Sequence, residues 1–375
     1  MLRRDRGAFD PVRSELSPFP GRAVSRPPAE VAEVRLAVRR ALDAIGCSAE
    51  IPLLVACSGG ADSTALAAAA AHLSSTKGGR PVVGAVVDHG LQVGSADRAG
   101  EAAAMLEGLG VPTRVLTVQV AGPGGTEAAA RRARYEALRA ARPTSESPVM
   151  LGHTMDDQAE TVLLGLGRGS GARSIAGMAR YDAPWLRPLL DVRRATTRAA
   201  CTAQGLPVWD DPHNVDHRFT RVRLRHEVLP LLEDVLAGGV VGALARTAAQ
   251  LGEDLSALDE MASEARAAVE KTSGPGAVSP DADAPGSGTE TSVGRTELDA
   301  KALAMYPGAV RRRVVRGWLL EAGVRDLSDS RLRTADDLVG RWHGQGGVAV
   351  QGGVEVAREH GRLVLRPRGF PQNPT

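Results

Sequence analysis

Short apolar runs and amphipathic stretches alternate along the first two-thirds of the chain, and their order predicts most of its architecture. Between Glu30 and Ile45, the residues Val31, Val34, Leu36, Val38, Leu42 and Ile45 recur at imperfect helical spacing. Ile51 to Cys57 is a continuous apolar run, followed by a glycine turn and an alanine-rich helix from Ala61 to Leu73. The same pair repeats as Pro81–Val87 with Ala96–Leu109, as Thr113–Val118 with Glu127–Ala140, and as Val149–Gly152 with Asp156–Leu166. Strands that read as unbroken apolar runs, each followed by a helix, predict a doubly wound α/β fold with a parallel sheet covered on both faces. Ligands of such sheets bind at the carboxyl ends of the strands, and all the chemically unusual loops of this chain fall there.

Past Leu236 the pattern changes. Val241 to Val269 reads as one long alanine-rich amphipathic helix or a pair of them, and Thr272 to Val293 is rich in Gly, Pro, Ser and Asp. Helical stretches through Leu320 and Val339, with short strands near Val348 and Val364, then predict a small α/β domain. The expected organisation is a tail over 1–28, a catalytic domain over 29–236, a helical linker over 237–271, a flexible segment over 272–295 and a C-terminal domain over 296–375.

Composition narrows the picture. A chain of 375 residues exceeds one ordinary domain, and 43% hydrophobic residues suffice for packed cores. The 46 basic and 44 acidic residues nearly balance, so no global polyanion-binding signature exists. Only Lys77, Lys271 and Lys301 are lysines, so phosphate contacts fall to arginine or to backbone amides. Cys47, Cys57 and Cys201 form no CxxC pair, which excludes a zinc knuckle or a thioredoxin-like site and suits a reducing cytoplasm. No stretch approaches the roughly 20 apolar residues of a membrane span, and the first 28 residues lack the apolar core of a secretory signal. A soluble, cytoplasmic protein with no membrane partner is expected; monomer and homodimer are equally compatible with the sequence.

Candidate chemistry begins at Ser58-Gly59-Gly60-Ala61-Asp62-Ser63, directly between the first strand and its helix. Two glycines remove side chains where backbone must approach pyrophosphate, and amides at the helix start point at the anion. Ser58 and Ser63 add hydroxyl donors. Asp62 repels phosphate directly, so its expected task is to hold Mg²⁺ bridging the phosphates. No GK[ST] follows, so this is not a Walker A loop. Asp88-His89-Gly90 ends the second strand at the same sheet edge and is expected to shape an adenosine pocket. After the fourth strand comes Gly152-His153-Thr154-Met155-Asp156-Asp157-Gln158-Ala159-Glu160-Thr161. Asp157 and Glu160, three apart, project from one helical face and suit a cationic group or Mg²⁺. Arg131 and Arg134 share one turn of the preceding helix.

The first of these loops resembles the SGGxDS loop of the PP-loop ATPases, which release pyrophosphate and transfer AMP. With Asp88-His89-Gly90-Leu91, Glu127 to Tyr135, Arg168-Gly169-Ser170-Gly171 before Gly177-Met178, Arg187-Pro188-Leu189-Leu190 and Trp209-Asp210-Asp211-Pro212-His213-Asn214, the order is similar to that of the bacterial tRNA(Ile)-lysidine synthases from about Ile51 to Pro230. Thr220 to Pro230 matches that family's TRNxIRHxVLP segment, except that Val222 stands where asparagine is usual. The resemblance implies a PP-loop (adenine-nucleotide hydrolase-like) fold, use of ATP and Mg²⁺, and transfer of L-lysine to cytidine-34 of a CAU-anticodon tRNA(Ile). It implies nucleotide contacts from residues 58–63, Asp88, His89, Gly90, His153 and Arg168, and catalytic roles for Asp62, Asp157, Glu160, Arg131 and Arg134. The competing readings are a tRNA thiolase of the same superfamily, which generally needs cysteine pairs, and a small-molecule synthetase that adenylates its substrate. Two arginine-rich stretches are the expected RNA contacts: Arg221, Arg223 and Arg225 near the end of the catalytic domain, and Arg311, Arg312 and Arg313 on a later helix.

Overall fold

The computed structural model describes residues 26–76, 79–122, 125–169, 171–272, 297–325 and 327–367. The expected tail lies almost wholly outside them, as does the Gly/Pro/Ser-rich segment. The elements run α1 (Ala29–Ala44), β1 (Leu53–Ala56), α2 (Ala61–Ser75), β2 (Val82–Asp88), α3 (Ser95–Gly108), β3 (Thr113–Thr117), α4 (Gly125–Ala140), β4 (Val149–Met150) and α5 (Met155–Arg168). They continue with α6 (Ala172–Ile175), β5 (Tyr181–Asp182), β6 (Trp185–Leu186), α7 (Arg194–Ala203), α8 (Thr220–Arg223), α9 (Leu229–Val235), α10 (Val240–Thr272), β7 (Leu298–Asp299), α11 (Ala300–Ala304), α12 (Gly308–Glu321), α13 (Asp329–Gly340), β8 (Val348–Ala349), β9 (Val354–Glu359) and β10 (Arg362–Pro367). Two compact units result: residues 1–160 with 179–245, and residues 161–178 with 246–375.

The first unit is built on a six-stranded sheet in the order β3-β2-β1-β4-β6-β5. All neighbours are parallel except β5 and β6, which form a hairpin pairing Tyr181 with Leu186. Every residue of β1 is buried, as a strand covered by helices on both faces requires. From β1 the chain winds outward through β2 and β3, then crosses back to β4 on the other side of β1. That reversal is the topological switch point, where a crevice opens beyond the strand ends. The loops after β1 and β4 flank it, and these are the two that carry the candidate chemistry. One core joins Val38 and Leu42 of α1, Leu66 of α2 and Cys201 of α7 to the sheet.

The second unit holds a four-stranded antiparallel sheet, β7-β10-β9-β8. Its core gathers Val269, Leu303, Val315, Trp318, Leu338 and Val356. The sequence pattern foresaw two of these four strands. Residues 161–178, which the pattern keeps with the catalytic domain, group here instead. Val241–Val269, read as one helix or two, is a single 33-residue helix. No single described helix is long and apolar enough to cross a membrane.

Candidate functional site

The loop from Ser58 to Ser63 is held open by its own hydroxyls. Ser63 Oγ donates to Gly60 O at 3.0 Å and accepts from the Ser58 amide at 3.1 Å, while Gly59 turns the chain at a φ of +82°. From 150 residues downstream, the Trp209 amide donates to Gly59 O at 2.9 Å. Gly152, after β4, packs against the loop so closely that a Cβ there would lie 2.9 Å from Ser63 N. The loop thus borders a cavity of about 920 Å³ at the switch point, lined also by His89, Arg134, His153, Asp157, Arg194 and Arg225. This volume suits a nucleotide with a second ligand beside it.

Three carboxylates and two guanidinia meet on one side of this cavity. Arg194, at the start of α7, sends Nε to Asp62 Oδ2 at 3.2 Å, Nη2 to Asp157 Oδ1 at 2.5 Å and Nη1 to Glu160 Oε1 at 3.3 Å. Arg225 forks onto Glu160 at 2.8 and 3.2 Å, and Glu160 is only 1% exposed. Asp62 also accepts from the Thr197 hydroxyl, and Asp157 from the Thr154 amide and hydroxyl at 2.8 and 2.9 Å. Burial raises the Asp62 carboxyl above its usual range despite Arg194 and Thr197. Burial would raise Asp157 too, but Arg194, the Thr154 amide and His153 outweigh it and hold it low. With all five groups ionised, the acids exceed the guanidinia by one charge, so the cluster has room for one more cation.

The cavity is lined further by Arg134, by the histidines His89 and His153, and by another carboxylate, Asp88. Arg134 lines the cavity and has no carboxylate partner among the described residues. Burial and the nearby arginines push His153 down to about 3, so its ring is neutral, and burial with Arg134 lowers His89. The Nδ1 atoms of both rings are buried without a hydrogen-bond partner. Asp88 faces inward and is held low by the Gly90 amide at 2.9 Å.

Comparison with known proteins matches this arrangement to one family. The profile of a PP-loop domain covers residues 35–232, and that of the TilS substrate binding domain covers residues 298–364. The chain is 54% identical over 340 residues to the tRNA(Ile)-lysidine synthase of Rhodococcus jostii (strain RHA1), spanning 90% of this chain and 94% of the relative. It is 54% identical over 318 residues to that of Mycobacterium tuberculosis (strain ATCC 25618 / H37Rv), spanning 83% and 90%. The chain belongs to the tRNA(Ile)-lysidine synthase family. Among solved structures, the U34-tRNA thiolase NcsA from Methanococcus maripaludis shares the fold, with a TM-score of 0.50 and 16% identity over 60% of this chain and 80% of that one.

As a lysidine synthase the chain uses ATP, and the doubly wound fold expected from its strand-helix alternation is the one observed. The structure brings together residues 58–63, Asp88, His89, His153, Asp157 and Arg134 around the cavity, with Glu160 in contact through Arg194 and Arg225. Gly90 is drawn in by the hydrogen bond that its amide donates to Asp88 Oδ1. Arg131 instead stacks on Tyr135, 4.8 Å from the ring centroid, and Arg168 belongs to the second unit. Arg225, expected on the RNA, is committed to Glu160 inside the cluster. Arg311 forks onto the buried Asp336 at 2.8 and 3.1 Å, Arg312 reaches the same carboxylate at 3.5 Å, and Arg313 pairs with Asp259 at 2.9 Å. These guanidinia act as internal ties, because acids on neighbouring elements reach them. Arg223 pairs with Glu227, which leaves Arg221 exposed with no ionic partner among the described residues. Val222, in place of the usual asparagine, is buried in the apolar core. Sequence reasoning missed Arg194, Thr197 and Trp209 as parts of the site. Of these, Trp209 lay within a motif already recognised.

Asp62 is the one carboxylate on the phosphate loop, and no cluster of three or more metal-ligating side chains exists among the described residues. Magnesium held by a single carboxylate together with substrate phosphates fits such a donor set. The thiols offer little to a thiolase-like chemistry: burial raises Cys57, and raises Cys201 to about 11, so neither is a ready thiolate.

Proposed function

We propose that this enzyme joins the ε-amine of free L-lysine to C2 of cytidine-34 in a CAU-anticodon tRNA(Ile), converting ATP to AMP and pyrophosphate. The observation that carries the reading is the acidic cluster, short of one positive charge, directly beside a glycine-rich phosphate loop. The magnesium of an ATP site would call on Asp62 alone; Asp157 and Glu160 beside it suit a substrate ammonium. The urea-like C2 carbonyl of cytosine is a poor electrophile. Its oxygen attacks the α-phosphorus, the bond to pyrophosphate breaks, and the base becomes adenylated. The ε-amine then attacks C2, AMP departs with the former carbonyl oxygen, and the amine gives up a proton.

Asp157 and Glu160 hold the ε-ammonium and accept its proton, in competition with Arg194 and Arg225. Arg134, without an acid of its own, faces the α-phosphate or the lysine carboxylate. The loop amides with Ser58 and Ser63 hold the leaving pyrophosphate, so catalysis is mainly positioning and charge stabilisation. Mg²⁺ at Asp62 would neutralise phosphate charge. Arg221 contacts a tRNA phosphate. Both ATP and tRNA substrates are met in the cytoplasm, where the protein acts.

The test is incubation of the full-length protein with ATP, labelled lysine and transcribed CAU tRNA(Ile), followed by nucleoside analysis, each component being omitted in turn. Lysine should appear on the RNA and AMP in solution only when all three are present. ATP split to ADP, or RNA that gains no lysine, would overturn the reading.

A further inference from the structure

We propose that Trp342 is a stacking platform on which the second unit receives an unpaired nucleobase of the tRNA; the inference rests on the function proposed above and adds a binding position to it. The chain has four tryptophans. Trp185 and Trp318 are buried in the cores, and Trp209 lines the nucleotide cavity. Trp342 is 40% exposed and belongs to no described cavity.

The turn that carries it is braced before any ligand arrives. Gln345 Nε2 donates to Asp337 O at 3.0 Å and to Arg341 O at 3.2 Å, and its Oε1 accepts from the His343 amide at 2.8 Å. The His343 ring pairs through Nδ1 with Arg341 O at 2.9 Å. Gly344 supplies the positive φ of +91° that closes the turn. The guanidinium of Arg358, on β9, lies 5.1 Å from the indole centroid and is itself anchored to Leu338 O at 3.0 Å. A cation over the ring fixes its plane. A ring fixed in advance loses little freedom when something stacks on it.

The surroundings favour RNA over an apolar protein partner. Arg341 and His343 flank the ring in sequence and both are exposed; Arg358 backs it. Arg341 is shared with Asp337 at 3.8 Å, so the charge at the ring is that of Arg358. The turn presents one aromatic beside a guanidinium, to which a nucleobase offers a π-face and its phosphates an opposite charge. Protein docking surfaces call for a contiguous apolar patch instead.

The experiment compares full-length wild type, Trp342→Ala and Trp342→Phe for equilibrium binding of CAU tRNA(Ile) at fixed salt, with ATP affinity and melting midpoint measured on the same samples. Trp342→Ala should bind tRNA about ten-fold more weakly, Trp342→Phe should retain most of the affinity, and ATP affinity and midpoint should stay at wild-type values. Unchanged tRNA binding by Trp342→Ala overturns the inference alone. An equal loss in both variants, tracking a lowered midpoint, overturns it as well, since the ring would then serve only to clamp Arg358. Wild type that binds no tRNA overturns the proposed function and this inference with it.

Discussion

Two arginine–carboxylate clusters, one in each unit, use the same residue types to opposite ends. In the first unit Arg194 and Arg225 face Asp62, Asp157 and Glu160 on the wall of a large cavity. In the second, Arg311 and Arg312 converge on Asp336, a carboxylate 4% exposed, while Arg311 Nη1 also caps Tyr306 O at 3.0 Å. The first cluster has surplus negative charge and an open side; the second has more guanidinium than carboxylate, and its acid is closed off. Ion pairs whose acid is sealed hold a fold together at best neutrally. Those with surplus carboxylate open to a cavity are poised to take a cationic ligand. The sign of the surplus charge together with access distinguishes the two.

The largest expected effect breaks the first cluster. Asp157→Ala should lower kcat/KM for lysine about a thousandfold, read by incorporation of labelled lysine into tRNA, with ATP binding retained. A variant with normal lysine dependence would remove Asp157 from the amine site. Next comes the closed cluster. Asp336→Ala strands Arg311, whose side chain is 17% exposed, and should cost about 3 kcal/mol in urea unfolding; AMP formation per folded molecule should persist. If the midpoint does not move, the tie is not structural.

The smallest effect concerns His153. His153 is held near 3 when folded, against about 6.5 when unfolded. Between those values the unfolded chain binds a proton that the folded one refuses, so this residue's contribution to stability is present above about 6.5 and is lost as pH falls through that window. His153→Gln should therefore flatten the decline in urea midpoint from pH 6.5 downward. A slope identical to wild type would mean that the ring is charged in the fold.

What was legible in the sequence was local. The phosphate loop could be read because glycine, serine and helix start lie within six residues, and the acid pair because Asp157 and Glu160 are one turn apart. Arg194 was not legible: it lies 132 residues from Asp62, on a short helix whose buried face consists only of the small residues Thr197, Ala200 and Cys201. The Trp209 clamp works through a backbone amide, which every residue but proline carries. Arg311 to Arg313 read as an RNA-binding run because a linear reading cannot bring Asp336 and Asp259 opposite them. The β5–β6 hairpin escaped notice because each strand is two residues long.

The clamp on Gly59 has a further consequence for biosynthesis. The nucleotide motif leaves the ribosome early, yet its braces at Arg194, Thr197 and Trp209 are made more than a hundred residues later. A nascent chain that already contains the whole glycine loop still lacks the later groups that brace it from outside. Competence to consume ATP is thereby deferred until translation has passed residue 209, and fragments that end earlier should be idle even where the sheet around them has begun to form.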